Sequence, residues 1–101
     1  MFENSFKLSP EEFADILKIL AHPTRLKILK YLSEKPHCVC KLLEKINVSQ
    51  PNLSQHLAIL RNTGFIKNEK KGNMVFYHLI KTPVIEIILN SLSLEKEEEV
   101  K

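Results

Sequence analysis

The sequence predicts a mainly α-helical domain with one small β-hairpin. Three observations predict it. Apolar residues recur at helical spacing in five separate segments. Three of those segments open on a Ser or Thr with proline in the first turn, at Ser9-Pro10, Ser49-Gln50-Pro51 and Thr82-Pro83. The chain's two glycines, Gly64 and Gly72, fall where a helix must stop and where a tight turn must reverse the chain. With 101 residues this is one domain, spanning 1–94 with a charged, solvated tail at 95–101, and small enough that association would help it bury a full core.

The elements follow in order. Ser9-Pro10-Glu11-Glu12 opens the first helix, with Ser as the cap and Glu near the positive helix end, and Phe13, Ile16, Leu17 and Leu20 continue it. His22-Pro23-Thr24 breaks and restarts the chain into a second helix through Leu26, Ile28, Leu29 and Leu32, ending near 33–36. A short third helix covers about 40–46, and Asn47-Val48 turns into a fourth that starts at Ser49. Two helices joined by so short a turn form a helix-turn-helix. After Gly64, the runs 65–70 and 74–79 read as strands around Lys71-Gly72-Asn73, where Gly and Asn tolerate the positive φ of a hairpin turn. This is a wing with a basic tip.

The last helix starts near Thr82-Pro83 and carries Val84, Ile85, Ile87, Ile88, Leu89, Leu92 and Leu94. That stripe is wider than one small domain needs. With Phe2, Phe6 and the first helix it is expected to form a symmetric homodimer interface.

The fourth helix carries the chemistry. Leu53, Leu57 and Leu60 recur at i, i+4, i+7 and face inward, which leaves Gln50, Asn52, Ser54 and Gln55 outward. A solvated face would more often hold Glu and Lys. Amide side chains pair bidentately with adenine in the major groove, and serine serves base edges or phosphate. The net charge of +3 includes four Glu and two Lys in the tail, so the rest of the chain carries +5. A dimer of that body presents about ten excess positive charges, suited to phosphates. No apolar run approaches the roughly 18–20 residues that span a bilayer, and the N-terminus lacks signal-peptide regions, so a cytoplasmic protein with no membrane partner is expected.

Three separated motifs, in order, resemble the ArsR/SmtB family of winged-helix repressors over about residues 10–90. Leu20-Ala21-His22-Pro23-Thr24-Arg25-Leu26-Lys27-Ile28-Leu29 is similar to the family's "L-A-x-P-T-R-L-x-I-L" opening. The segment from Ser49 to Leu57 resembles its "S-Q-x-x-x-S-x-H-L" recognition helix, and Gly64-Phe65-Ile66 and Gly72-Asn73-Met74-Val75-Phe76-Tyr77 its strand and wing. The resemblance implies a homodimer that occupies operator DNA and leaves it when an inducer binds. It places Gln50, Pro51, Ser54 and Gln55 against base edges, with Asn52 beside them and Ser49 at the cap. Arg61, Lys70 and Lys71 are phosphate candidates by charge and position. His56 points toward the packed face and reads as structural, and Arg25 as an anchor of helix packing. Reader helices about one DNA turn (~34 Å) apart imply an inverted-repeat operator.

Cys38-Val39-Cys40 resembles the "C-V-C" of family members that sense arsenite, antimonite, cadmium or lead at the start of the third helix. Thiolates bind soft ions, and a helix N-terminus favours the thiolate. Residues i and i+2 diverge on a regular helix, so shared ligation requires the pair to lie in an irregular first turn. The third Cys of many arsenite sensors is replaced here by Leu43. His37, next to the pair, is a candidate extra ligand for zinc-like ions. The zinc site on the last helix of other relatives needs His and carboxylates, and that helix holds only Glu86.

The expected function is therefore a sequence-specific DNA-binding repressor, with no required cofactor, released by As(III), Sb(III), Cd(II), Pb(II) or Zn(II) at Cys38 and Cys40. Two alternatives in the same frame are a redox- or persulfide-responsive regulator and an effector-free one. A third reading is a winged-helix protein-interaction module. No phosphate loop or nucleophile–base pattern points to an enzyme.

Overall fold

The computed structural model describes residues 8–94. Five helices, α1 (Pro10–Leu20), α2 (Pro23–Glu34), α3 (Val39–Lys45), α4 (Gln50–Asn62) and α5 (Pro83–Asn90), surround a three-stranded antiparallel sheet. Its strands are β1 (His37–Cys38), β2 (Ile66–Lys71) and β3 (Met74–Leu79), in the order β1-β3-β2. This is the winged helix-turn-helix that the sequence predicts.

The helix boundaries have local causes. At α1, the Ser9 hydroxyl accepts from the Glu12 amide at 3.1 Å while the Glu12 carboxylate accepts from the Ser9 amide at 3.0 Å, a complete capping box. Ser49 caps α4 through the Asn52 amide at 3.2 Å, and Thr82 caps α5 through the Ile85 amide at 3.2 Å. At the end of α4 the Phe65 amide donates to the Leu60 carbonyl and the Gly64 amide to the Arg61 carbonyl. That pair of bonds is the Schellman arrangement, and it requires the positive φ that Gly64 adopts, 90°. In the hairpin only Gly72 takes a positive φ, 62°, as the first central residue of a type II′ turn does. Asn73 does not use the freedom expected of it.

Ile28, Leu29 and Leu32 of α2, Leu42 of α3 and Leu53, Leu57 and Leu60 of α4 close the core with Ile46, Phe65, Ile66 and Ile85. Three expectations change. The pair 37–38 forms a strand, β1, hydrogen-bonded to β3, because β3 has an open edge there. The third helix consequently starts at Val39 and ends at Lys45. The last helix stops at Asn90, so Leu92 and Leu94 lie beyond it. Asn90 and Ser91 are residues whose side chains compete with helical backbone bonds, and the Ser91 hydroxyl does bond the Ile87 carbonyl at 3.3 Å.

Apolar surface remains outside the core. Phe13 and Leu17 of α1 are 41% and 51% exposed, and Ile87 of α5 is 69% exposed. Phe2, Phe6 and the 95–101 tail lie outside the described residues. Among the described residues, no helix is long and apolar enough to cross a membrane.

Candidate nucleic-acid interface and the cysteine pair

The packing of α4 decides what it presents. Burying Leu53, Leu57 and Leu60 turns Gln50, Pro51, Asn52, Ser54 and Gln55 outward, and all five are exposed. They occupy the first two turns, so the amide and hydroxyl groups cluster at one end of the helix. Ser49 spends its oxygen on the cap and keeps its O–H for a donor role. Arg61 is exposed too, but it stands in the last turn, roughly 16 Å along the axis from Gln50 at about 1.5 Å per residue. The fold does not bring it together with the amide cluster.

Lys70 and Lys71 are exposed at the wing tip, paired with Val75 and Met74 respectively. Successive strand residues point to opposite faces, so the two ammonium groups leave the ribbon on opposite sides. Lys71 shares its side with Phe76 and His78, and together with Lys35 and Pro36 these line an outer cleft of about 250 Å³.

His56 is half-buried and structural, as its helical angle implies: its Nδ1 accepts from Arg25 Nε at 3.0 Å. Arg25, 8% exposed, also donates to the Ile19 carbonyl at 2.8 Å. Burial, then the charges of Arg25 and His22, hold the His56 pKa below its ordinary value.

The two cysteines meet. Cys38 is the N-cap of α3 with an extended backbone (φ −85°, ψ 169°), and this irregular entry lets residues i and i+2 converge to an Sγ–Sγ separation of 2.8 Å. Cys38 is buried and Cys40 exposed. The hydrogen bond between the two thiols is the largest cause that lowers the Cys38 pKa and raises that of Cys40; burial opposes the drop at Cys38, and backbone hydrogen bonds at the start of α3 add to it. Cys38 is thus the more acidic thiol of the pair.

His37 does not join them. It is buried, and both ring nitrogens are engaged elsewhere: Nδ1 with the Lys35 carbonyl at 2.8 Å and Nε2 with Lys45 Nζ at 2.9 Å. A carbonyl can only accept and an ammonium can only donate, so the ring proton sits on Nδ1. Neighbouring strand residues point to opposite faces, which explains why adjacency in sequence did not become adjacency at the thiols. Among the described residues, no group of three or more His, Cys, Asp or Glu is placed to hold a metal ion.

The model of the bacterial regulatory protein, arsR family, matches residues 22–68, from the start of α2 into β2. An uncharacterized HTH-type transcriptional regulator of Methanocaldococcus jannaschii is 43% identical over 79 residues, 77% of this chain and 89% of that protein. The arsenical resistance operon repressor of Staphylococcus aureus is 40% identical over 83 residues, 82% of this chain and 80% of that one. The chain belongs to the arsR family. In shape it is similar to the transcriptional repressor BigR from Xylella fastidiosa, with a TM-score of 0.73 at 32% identity over 90% of this chain and 89% of that one. ArsR-family proteins of this kind are DNA-binding transcriptional regulators, and the family match contains all of α4, the helix that presents the amide cluster.

What sequence reasoning missed is the strand β1. It makes Cys38 a wing-sheet residue as well as a helix cap. A two-residue strand has no periodicity to read; the one available signal was that Pro36 forces extended backbone just before it.

Proposed function

We propose that this ArsR-family chain is a cytoplasmic homodimeric repressor, without catalytic activity, that reads an inverted-repeat operator through Gln50, Pro51, Asn52, Ser54 and Gln55. Lys70 and Lys71 lie on phosphates from the wing. The operator is released when a thiophilic metalloid bridges Cys38 and Cys40. The observation that carries the release step is the position of the thiols: 2.8 Å apart, on a residue that is both the cap of α3 and a rung of the sheet containing the wing.

Two soft sulfur donors without a nitrogen neighbour suit arsenite or antimonite better than zinc-like ions. With arsenous acid, two S–H protons and two arsenic-bound hydroxyls leave as two waters, and two S–As bonds form; the third arsenic hydroxyl stays, since Leu43 offers no thiol. No electron changes hands. Both sulfurs bound to one arsenic atom would be held at a spacing set by that atom instead of by their own hydrogen bond, and a change of spacing would act on the α3 cap and on β1 together. The metalloid reading is supported by the name of the Staphylococcus aureus relative, an arsenical resistance operon repressor.

The test is fluorescence anisotropy of reduced protein on duplex DNA from upstream of its own gene, at fixed salt, with and without arsenite. Tight binding that arsenite releases, and that Cys38→Ser/Cys40→Ser makes insensitive, is the expected result. Binding unchanged by arsenite and antimonite defeats the metalloid step, and absence of specific binding defeats the operator reading.

A further inference from the structure

Arg25 is a buried guanidinium whose two hydrogen-bond acceptors, the Ile19 carbonyl and the His56 imidazole, are both uncharged. The first lies in α1, the second in α4, so one side chain of α2 spans three helices. His56 immediately follows Gln55 and is two residues from Ser54, so whatever sets its position sets theirs. We infer that Arg25 and His56 are positioning residues for DNA reading, a latch that holds α4 in register with α1 and α2 and that opens when His56 takes up a proton. The inference rests on the DNA-reading role of α4 proposed above.

The chemistry of opening is local. The Nδ1 lone pair is the acceptor for Arg25 Nε, so in the closed latch the ring proton is on Nε2. A second proton has to go on Nδ1, which then cannot accept. The Arg25 N–H is left unpaired and two cations face each other across the former bond. His22 adds to this: its ring lies 5.8 Å from that of His56, tilted by 55°. Arg25 and His22 are the charged and titratable groups that face His56 from α2 and its cap. Besides burial, Arg25 and His22 are the groups that act on the ring among the described residues. With its pKa held below the ordinary 6.5, the ring stays unprotonated near neutrality. The closed latch is therefore fully favoured above about pH 6.5 and is lost as pH falls through the lowered value.

The test compares the full-length protein with His56→Asn, whose side-chain oxygen keeps an acceptor near the position of Nδ1 but cannot be protonated. Anisotropy on the duplex from upstream of its own gene is read from about pH 7.5 down to about 5.5 at constant salt. Both proteins are expected to bind at the upper end. On acidification the wild type is expected to lose affinity by roughly fivefold or more relative to the variant, the lower end of typical coupling. Binding curves that run parallel over the whole range overturn the latch while leaving the operator reading intact. Failure of both proteins to bind at the upper end overturns the operator reading and the latch with it. Ring-nitrogen NMR of the wild type needs no variant: the amide shifts of α4 are expected to follow the His56 titration, and a titration that leaves them unmoved also overturns the latch.

Discussion

Cys38 sits directly across from Phe76 in the ladder that joins β1 to β3. Its backbone is therefore shared by two mechanical units. Through the ladder it is tied to the wing strand, and as the cap of α3 it is tied to the helix that packs ahead of the reader. A ligand at this joint need not touch the DNA surface to change it. It has only to favour a different spacing of the two sulfurs, because Cys38 is anchored both to the wing strand β3 and to α3, which packs against α4. A coupling of about 1–3 kcal/mol, the usual range, corresponds to roughly 5–150-fold in operator affinity.

The asymmetry of the thiol pair is directly testable. Cys38 is held below its ordinary pKa first of all by the hydrogen bond with Cys40. In Cys40→Ala that hydrogen bond is gone, so alkylation of the remaining Cys38 by iodoacetamide is expected to move to higher pH than the faster phase of the wild type. The linkage has a definite sign: a depressed thiol pKa adds stability above the ordinary value of 9.0 and that stability is lost as pH falls through the folded value. A Cys38 reactivity profile identical in the two proteins would show that Cys40 does not tune it.

Reader and wing are expected to fail differently. Gln55→Ala removes an exposed amide from the first turns of α4 and is expected to cost about 1–3 kcal/mol on the matched operator while relaxing preference at one base position. Lys70→Ala removes a charge at the wing tip, so it is expected to weaken binding to all sequences alike and to lower the slope of log affinity against log salt by about 1. Anisotropy on a panel of single-base operator variants at several salt concentrations separates the two. The reverse pattern would reassign the roles.

Much of this was legible from residue order, and the exceptions share a cause. Ser9, Ser49 and Thr82 announce their helices because capping is a matter of a few adjacent residues, and Gly64 and Gly72 announce the helix stop and the hairpin for the same reason. The outward amide cluster followed from the spacing of Leu53, Leu57 and Leu60. His56 and Arg25 could each be read as packing residues, but that they bond to each other is a tertiary fact, separated by 31 positions in the chain. β1 exists because β3 has an edge to offer, which nothing within 37–38 encodes. His37 was misplaced by adjacency: the residue beside Cys38 is the one that a strand turns away from it.

The core accounts for a different class of effect. Leu57 is 1% exposed on the inner side of α4. Leu57→Ala is expected to cost about 2–5 kcal/mol through lost burial and the cavity left behind. Against a domain stability of about 5–15 kcal/mol this is a large share. Urea unfolding followed by circular dichroism measures it, at matched protein concentration because any dimer adds a mass-action term. A cost under about 1 kcal/mol would mean that the reader helix repacks freely, contrary to its central place in the core.

The last expectation concerns the apolar surface that one chain leaves open. Phe13 and Leu17 are one helical turn apart on α1, and Ile87 is the most exposed of the large apolar side chains among the described residues. Single exposed apolar residues are ordinary, but two terminal helices each exposing a large one fit a self-complementary interface, in which the same patch serves both partners. Leu17→Glu and Ile87→Glu are each expected to shift the protein from dimer to monomer in sedimentation velocity. Because one reader helix then meets one half-site, operator affinity is expected to fall by about 10²-fold or more as the effective-concentration advantage disappears. A wild type that sediments as a monomer at micromolar concentration would remove the symmetric-operator model. A charged variant that remains dimeric would move the interface to another face.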